Sequence, residues 1–399
     1  MPEPSTTAAG GRMMQLLSLF SEEGYSITFA STAKASERSA DLEKHKITAV
    51  SIELNNESFD IFISQLDPSV VLFDRYITEE QFGWRVLEHC SEAIRILDTE
   101  DLHFLRKSRE EAVKKNSPVS EANLFTENAK RELASILRCD LSLIISEFEF
   151  NLLKNTFSVS EEILHYLPFL TEKQSISDKN HSKYDQRANF VTIGNLQHPP
   201  NIDAVFYLQK VIWPLIRKQL PEVELNVYGD YGSQHIRELH NEKEGFLVKG
   251  WVEDANHVLQ ESRLCLAPLR FGAGLKGKLL DAMLNGTPSI TTKIGAEGMH
   301  GMIPFSGKVL DDPIEFANAA VELYTQKEKW IQAQEHGYRI VEERFQKSDY
   351  SKNFIDRVEM IRTTLKKHRE ANFIGQILQH HTLQSSRYMS KWIEAKNRY

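Results

Sequence analysis

Apolar and polar positions along the 399-residue chain switch repeatedly between two periods. Short apolar runs at residues 26–31, 47–52, 70–74, 93–97 and 141–145 read as strands. Between them, residues 58–66, 78–90, 121–137 and 146–157 place apolar side chains at helical spacing. Thr78 followed by Glu79 and Glu80 is a helix-start signature. Residues 2–11 read as a loop by composition, and residues 12–20 as a helix that Gly24 stops. Strand, helix, strand in this order predicts a parallel sheet with right-handed crossovers. Ligands bind beyond the carboxyl ends of such strands. That puts Asp74 and Arg75, residues 98–103, and Ser146 with Glu147 on the site side.

Residues 171–187 are almost without apolar side chains and read as an interdomain linker. A second α/β series follows, with strands at 190–194, 224–228, 246–250, 264–269 and 288–292. A helix from Asn201 carries Val205, Leu208, Ile212, Leu215 and Ile216 on one face, with Pro214 imposing a kink or break. The expected organisation is therefore a first domain at 1–170, a linker, a second domain at 188–345 and a helical tail at 346–399. In the tail, Phe354, Val358, Ile361 and Leu365 recur at helical spacing. Residues 373–399 are basic and aromatic, with His380, His381, Arg387, Tyr388, Lys391, Trp392, Lys396 and Arg398. Such a tail either packs back across the domains or offers a surface to a partner or a membrane.

Composition adds exclusions. A net charge of -8 gives no general attraction to nucleic acid. No run is long and apolar enough to span a bilayer, and the N-terminus lacks the apolar core of a secretion signal. Cys90, Cys139 and Cys265 are scattered within apolar stretches, which suits free thiols in a reducing cytoplasm. No Asp-x-Asp pair or Cys/His ligand spacing points to a metal.

The chemistry concentrates in residues 265–299. An apolar run ends at Leu269, and a glycine-broken turn follows: Arg270, Phe271, Gly272, Ala273, Gly274, Leu275, Lys276, Gly277, Lys278. A helix then starts and a further strand begins near Pro288. Glycines let backbone approach a ligand, and a helix start presents free N–H groups and a positive dipole end. With two lysines this is an anion site, phosphate above all. An ordinary strand–helix turn with solvated lysines would show the same spacing.

The segment resembles the C-terminal signature of family 4 retaining glycosyltransferases, the glycosyl transferases group 1. The similarity is nearly continuous over these thirty-five residues. It implies an α/β chain of two Rossmann-like domains facing across a cleft, the GT-B fold, with C-terminal helices. It also implies a central first strand of the N-terminal domain that would precede Met1. The implied activity moves a sugar from a nucleotide-diphosphate sugar to an acceptor hydroxyl with retention, without metal or cofactor. Carbohydrate or lipid-linked acceptors, a cytoplasmic setting and surface polysaccharide or glycoconjugate synthesis go with it, and peripheral membrane contact is compatible with it.

By the same resemblance Lys276 meets the diphosphate, with Lys278, Gly272, Gly274 and Leu275 beside it, and Asp281 on the first helical turn holds the ribose. Asp281 stands where relatives have Glu, and Ala273 replaces a second carboxylate of the family pattern. Relatives carry an Arg and a Lys after the first strand of the second domain. Here Gly194 and Asn195 open a loop whose one cationic candidate is His198, so Arg270 and Arg12 are the expected substitutes. Gly10, Gly11 and Arg12 match the loop facing the diphosphate. Trp251 adjoins the base, and Glu297 faces the donor. His103 with Asp101 or Asp98 is the candidate base, a neutral imidazole being able to take a hydroxyl proton. Asp74, Arg75, Glu79 and Glu80 are acceptor-side candidates by position. Other readings on the same scaffold are a sugar-nucleotide epimerase, or a non-catalytic sugar-nucleotide-binding or scaffold protein.

Overall fold

The computed structural model describes residues 1–173 and 183–397, apart from the side chains of 381–386 and 397. The middle of the expected linker, 174–182, and Arg398 lie outside the described residues, as does the His381 side chain. The second domain is a six-stranded parallel sheet. Its strands are β7 (Ala188–Ile193), β8 (Leu225–Tyr228), β9 (Phe246–Gly250), β10 (Ser262–Ala267), β11 (Ser289–Thr291) and β12 (Gly307–Val309). Their order is β12-β11-β10-β7-β8-β9. The order reverses between β7 and β10, so the crevice beyond those two strands is where a ligand fits such a sheet.

The first domain is divided. β3 (Val70–Asp74), β4 (Ile94–Asp98), β5 (Leu141–Ile144) and β6 (Leu164–Tyr166) form one parallel sheet, and β1 (Thr28–Ser31) pairs with β2 (Thr48–Ser51) alone. Between the outer edges of β1 and β3 lies a cavity of about 810 Å³ lined by residues of both. Among the described residues no strand fills the central position that the resemblance implied. The helix Ala8–Glu22 holds the two parts together. Its Met13 and Leu17 pack with Leu42 and Ile47 near β1 and β2, and its Leu16 and Leu19 pack with Ile94, Ile96 and Leu141 of the larger sheet.

Local chemistry corrects several expectations. Residues 8–11 are helix, because the Thr7 hydroxyl accepts from the Gly10 amide and caps the start. Gly10, Gly11 and Arg12 therefore form a helical turn rather than a loop. A Cβ at Gly10 would come within 2.5 Å of the Glu3 backbone, so only glycine fits there. The charged residues after Leu102 form the helix His103–Lys114, which buries Phe104, Leu105, Ser108, Arg109 and Ala112 on one face. The expected helix at 121–137 begins only at Glu127, capped by Thr126. Before Pro214 the chain takes a π turn over Leu208–Ile212, and the proline sits in the first turn of the next helix, where its missing N–H costs nothing. The tail makes two helices, Lys347–Ala371 and Phe373–Asn397. The first lays Phe354, Val358, Ile361 and Leu365 on Ile94, Ile96 and Leu143 of the first domain. Its Arg369 donates to both carboxylate oxygens of Asp140, at 2.8 and 2.9 Å.

Arg12 is fully buried. Its guanidinium donates to Asp98 at 2.8–3.0 Å and to the Leu167 carbonyl at 2.8 Å. Glu79 is likewise taken up inside the domain, by Arg138 and Ser135. Removing one partner of a buried pair strands the other charge, at a cost of about 3–5 kcal/mol. Arg12→Ala should therefore lower unfolding free energy by about that amount, and Arg12→Ala with Asp98→Ala should recover part of it. Urea melts of the single and double variants measure both.

Candidate functional site

The glycine turn is gripped from the opposite domain. Gly274 adopts φ +63, and a Cβ there would lie 2.8 Å from the Asp101 side chain. Gly277 opens the helix Gly277–Leu284, and a Cβ on it would lie 2.8 Å from Cβ of Ala8, the first residue of the Ala8–Glu22 helix. The N-terminal ends of two helices thus converge from the two domains. Helix starts present backbone N–H groups and a positive dipole end, which together favour an anion.

Arg109 of the first domain donates to the Gly272 carbonyl at 2.9 Å and holds Glu297 in a two-pronged pair at 2.8 Å each. Glu149, also of the first domain, accepts from the Gly274 amide at 2.7 Å and from the Leu102 amide at 3.1 Å. Its second oxygen is buried without a partner among the described residues. Burial first, then the Asp101 charge, raises the Glu149 carboxyl to about 7.

The lysines face inward. Lys276 Nζ donates to the Gly274 and Ala273 carbonyls at 2.6 and 3.2 Å, and burial lowers its pKa. Lys278 Nζ donates to Asn201 Oδ1 at 2.8 Å, and burial lowers it to about 8. A Cβ at Gly194 would come within 2.9 Å of that same Nζ. Asn195 is occupied locally, its carbonyl accepting from Asn201 at 2.9 Å. His103 Nε2 stands 3.3 Å from Asp101 Oδ1, and Arg106 pairs with the other Asp101 oxygen. Burial depresses both His103 and His198 to about 4, so both are neutral at pH 7. His198 feels the charges of Arg106, Asp101, Lys278 and Lys276, which draws its loop into the same cluster.

The structure thus brings together Gly194, Gly272, Gly274, Lys276, Lys278, Glu297, Asp101 and His103. Leu275 is buried in an apolar cluster with Met299 below the turn. Asp281 lies past the first turn of its helix, so the helix-start reading does not hold, and its side chain is exposed. Arg270 points away, paired with Asp203 and lying over Tyr207, and so supplies no charge to the turn in this arrangement. Arg12 is spent on Asp98, and Gly10 and Gly11 are helical. Trp251 is covered by the Arg38 guanidinium, 3.5 Å from the ring centroid. Arg109, Glu149, Arg106 and Glu132 were not singled out by sequence. The only hint was an acid, Glu149, lodged between Phe148 and Phe150.

The sequence profile of the glycosyl transferases group 1 family matches residues 187–326. These residues form a glycosyl transferases group 1 domain. The chain is also 27% identical over 127 residues to an uncharacterized 44.6 kDa protein of the cps region of Klebsiella pneumoniae. That match covers 29% of this chain and 33% of the relative. Among solved structures, HepE of Anabaena in complex with UDP and glucose has a TM-score of 0.67 at 13% identity, covering 90% of this chain and 97% of that one. An S. aureus TarM variant in complex with Fondaparinux, alpha-GlcNAc-glycerol and UDP has a TM-score of 0.59 at 14% identity. It covers 75% of this chain, which spans 58% of that protein. These likenesses show the GT-B fold around the glycosyltransferase domain.

Glu132 supports the first-domain side of the site, accepting from the His103 and Phe104 amides at 3.0 and 2.8 Å. Burial nonetheless raises its carboxyl to about 8. Folding therefore favours the neutral acid. That stability is complete below the unfolded carboxyl value of ~4.3 and is lost as pH rises through about 8. Glu132→Gln should flatten the fall in stability across this window, read from urea melts at a series of pH values.

Proposed function

We propose that the chain transfers a sugar from a nucleotide-diphosphate sugar to an acceptor hydroxyl, with retention and without a metal. The observation that carries this reading is the meeting of two helix N-termini, Ala8 from the first domain and Gly277 from the glycosyl transferases group 1 domain, with Lys276 and Lys278 beside them. The departing diphosphate gains charge as the glycosidic bond breaks. Preorganised amides and cations lower that barrier. The Glu149 carboxylate holds the Gly274 amide. A donor phosphate is the stronger acceptor for the same N–H.

His103 is neutral at pH 7, as a base must be, and Asp101 steadies it. Glu297 and Asp281 are the carboxylates available for sugar and ribose hydroxyls. The carbohydrate or lipid-linked acceptor approaches from the first domain, and the cps-region relative makes surface polysaccharide synthesis the setting to test first.

Lys276→Met keeps the buried stem but removes the charge. It should lower turnover by at least roughly tenfold, the equivalent of one charge-assisted hydrogen bond. Turnover is followed by nucleotide release from UDP-, GDP- and TDP-sugars across an acceptor panel, with and without EDTA. Unchanged turnover in Lys276→Met, or EDTA inhibition that added metal reverses, contradicts the corresponding part of the reading. Thermal shifts with nucleotides and no transfer to any acceptor would point to the non-catalytic alternative.

Lys278 gives a pH signature. Its cationic form binds diphosphate, and in the free chain it loses its proton as pH rises through about 8. Nucleotide affinity should therefore weaken above that pH, by at most about tenfold per unit. The effect should vanish in Lys278→Met, as measured by calorimetric titration with UDP.

A further inference from the structure

The last helix, Phe373–Asn397, lies on the first domain by one side only. Arg85 donates to Ser390 at 2.9 Å and pairs with Glu394, and Arg387 pairs with Glu88 at 2.9 Å. Gln379 donates to the Arg138 carbonyl at 2.7 Å. A Cβ at Gly375 would lie 2.2 Å from the Leu137 carbonyl oxygen, so the helix needs glycine to come this close.

The opposite side is apolar and exposed. Phe373 is 64% exposed, Ile374 63%, Tyr388 70% and Trp392 59%, with Ile377 and Met389 alongside. Steps of four residues from 373 to 377 and 388 to 392, and of eleven from 377 to 388, keep these side chains on one face of the helix; the side chains of 381–386 between them lie outside the described residues. Lys391 and Lys396, both exposed, lie along its two margins, and Lys396 stands over the Trp392 ring. The helix has a single acid, Glu394, and Arg85 holds it on the covered side. On a chain of net charge -8, a positive apolar stripe is a local exception.

We propose that this stripe docks on the surface of an anionic phospholipid bilayer, with the helix lying in the membrane plane. Aromatic and aliphatic side chains enter the headgroup boundary while flanking lysines meet lipid phosphates. No helix among the described residues is long and apolar enough to cross a membrane, so the contact is peripheral. A second copy is the poorer occupant, because a two-fold axis through the stripe sets the same lysines against each other. The proposal stands independently of the donor reading.

The test is cosedimentation of the full chain with vesicles of phosphatidylcholine alone or mixed equally with phosphatidylglycerol. Binding is expected on the anionic vesicles, roughly tenfold or more above the neutral ones, and should fall at high salt. Tyr388→Ser with Trp392→Ser should reduce it by about tenfold or more. Lys391→Glu with Lys396→Glu should abolish the anionic preference. All four positions are exposed, so thermal melts should stay unchanged and report intact folding. Absence of binding to anionic vesicles overturns the proposal, as does binding that both double variants leave unchanged. A dimer in light scattering that the Tyr388/Trp392 variant dissociates, without vesicle binding, assigns the stripe to a second copy instead.

Discussion

The site depends on a grip across the cleft. Arg109 and Glu149 belong to the first domain, yet both hold backbone of the second domain's glycine turn, at Gly272 and Gly274. These are charge-assisted bonds in a buried setting, where an unmade bond is costly. The grip fixes where the turn lies against Asp101 and Ala8, and so explains why Gly274 and Gly277 must lack side chains. It also fixes the lysines, since Lys276 folds back onto carbonyls of the same turn. The half-satisfied Glu149 is the weak link in this arrangement, its second oxygen buried without a partner among the described residues.

The sequence showed one wall of this grip and not the other. Glycines, lysines and a helix start are local signals, so the turn at 272–278 and the strands around it could be read from their own spacing. Glu149 meets the turn across 125 residues of sequence and Arg109 across 163. Nothing near either residue announces that distance. Residues 104–114, rich in Arg, Lys and Glu, were given no element from the sequence, yet one face of the helix they form is buried and Arg109 is part of it. Gly10 and Gly11 read as loop from composition, and the signal against it was the single hydroxyl of Thr7. Arg12 offered a free cation by position, but Asp98, 86 residues on, takes it.

The divided first domain shows a different limit. Alternation predicted a parallel sheet, and both parts are parallel. Periodicity says which segments are strands, however, and not which edges meet. β1 and β2 join the larger sheet through side chains of the Ala8–Glu22 helix instead of a hydrogen-bonded ladder. Side-chain packing can hold such a pair in place, while the facing backbone edges stay open to the cavity between them.

Electrostatics ties the grip to the chemistry. Burial pushes several groups near the turn toward their neutral forms, whereas for Asp101 burial is outweighed by the charges of Arg106 and the nearby histidines, which hold the carboxyl below its usual value. Lys276 is lowered, Lys278 falls to about 8, His103 and His198 to about 4, and Glu149 rises to about 7. An anion placed among these groups opposes that shift, because it stabilises each cation at close range and in low dielectric. It also repels the Glu149 carboxylate from the Gly274 amide it occupies. An anion bound at this turn would therefore bring proton uptake with it, and would loosen the Glu149–Gly274 bond while leaving the Arg109 contacts of the grip in place.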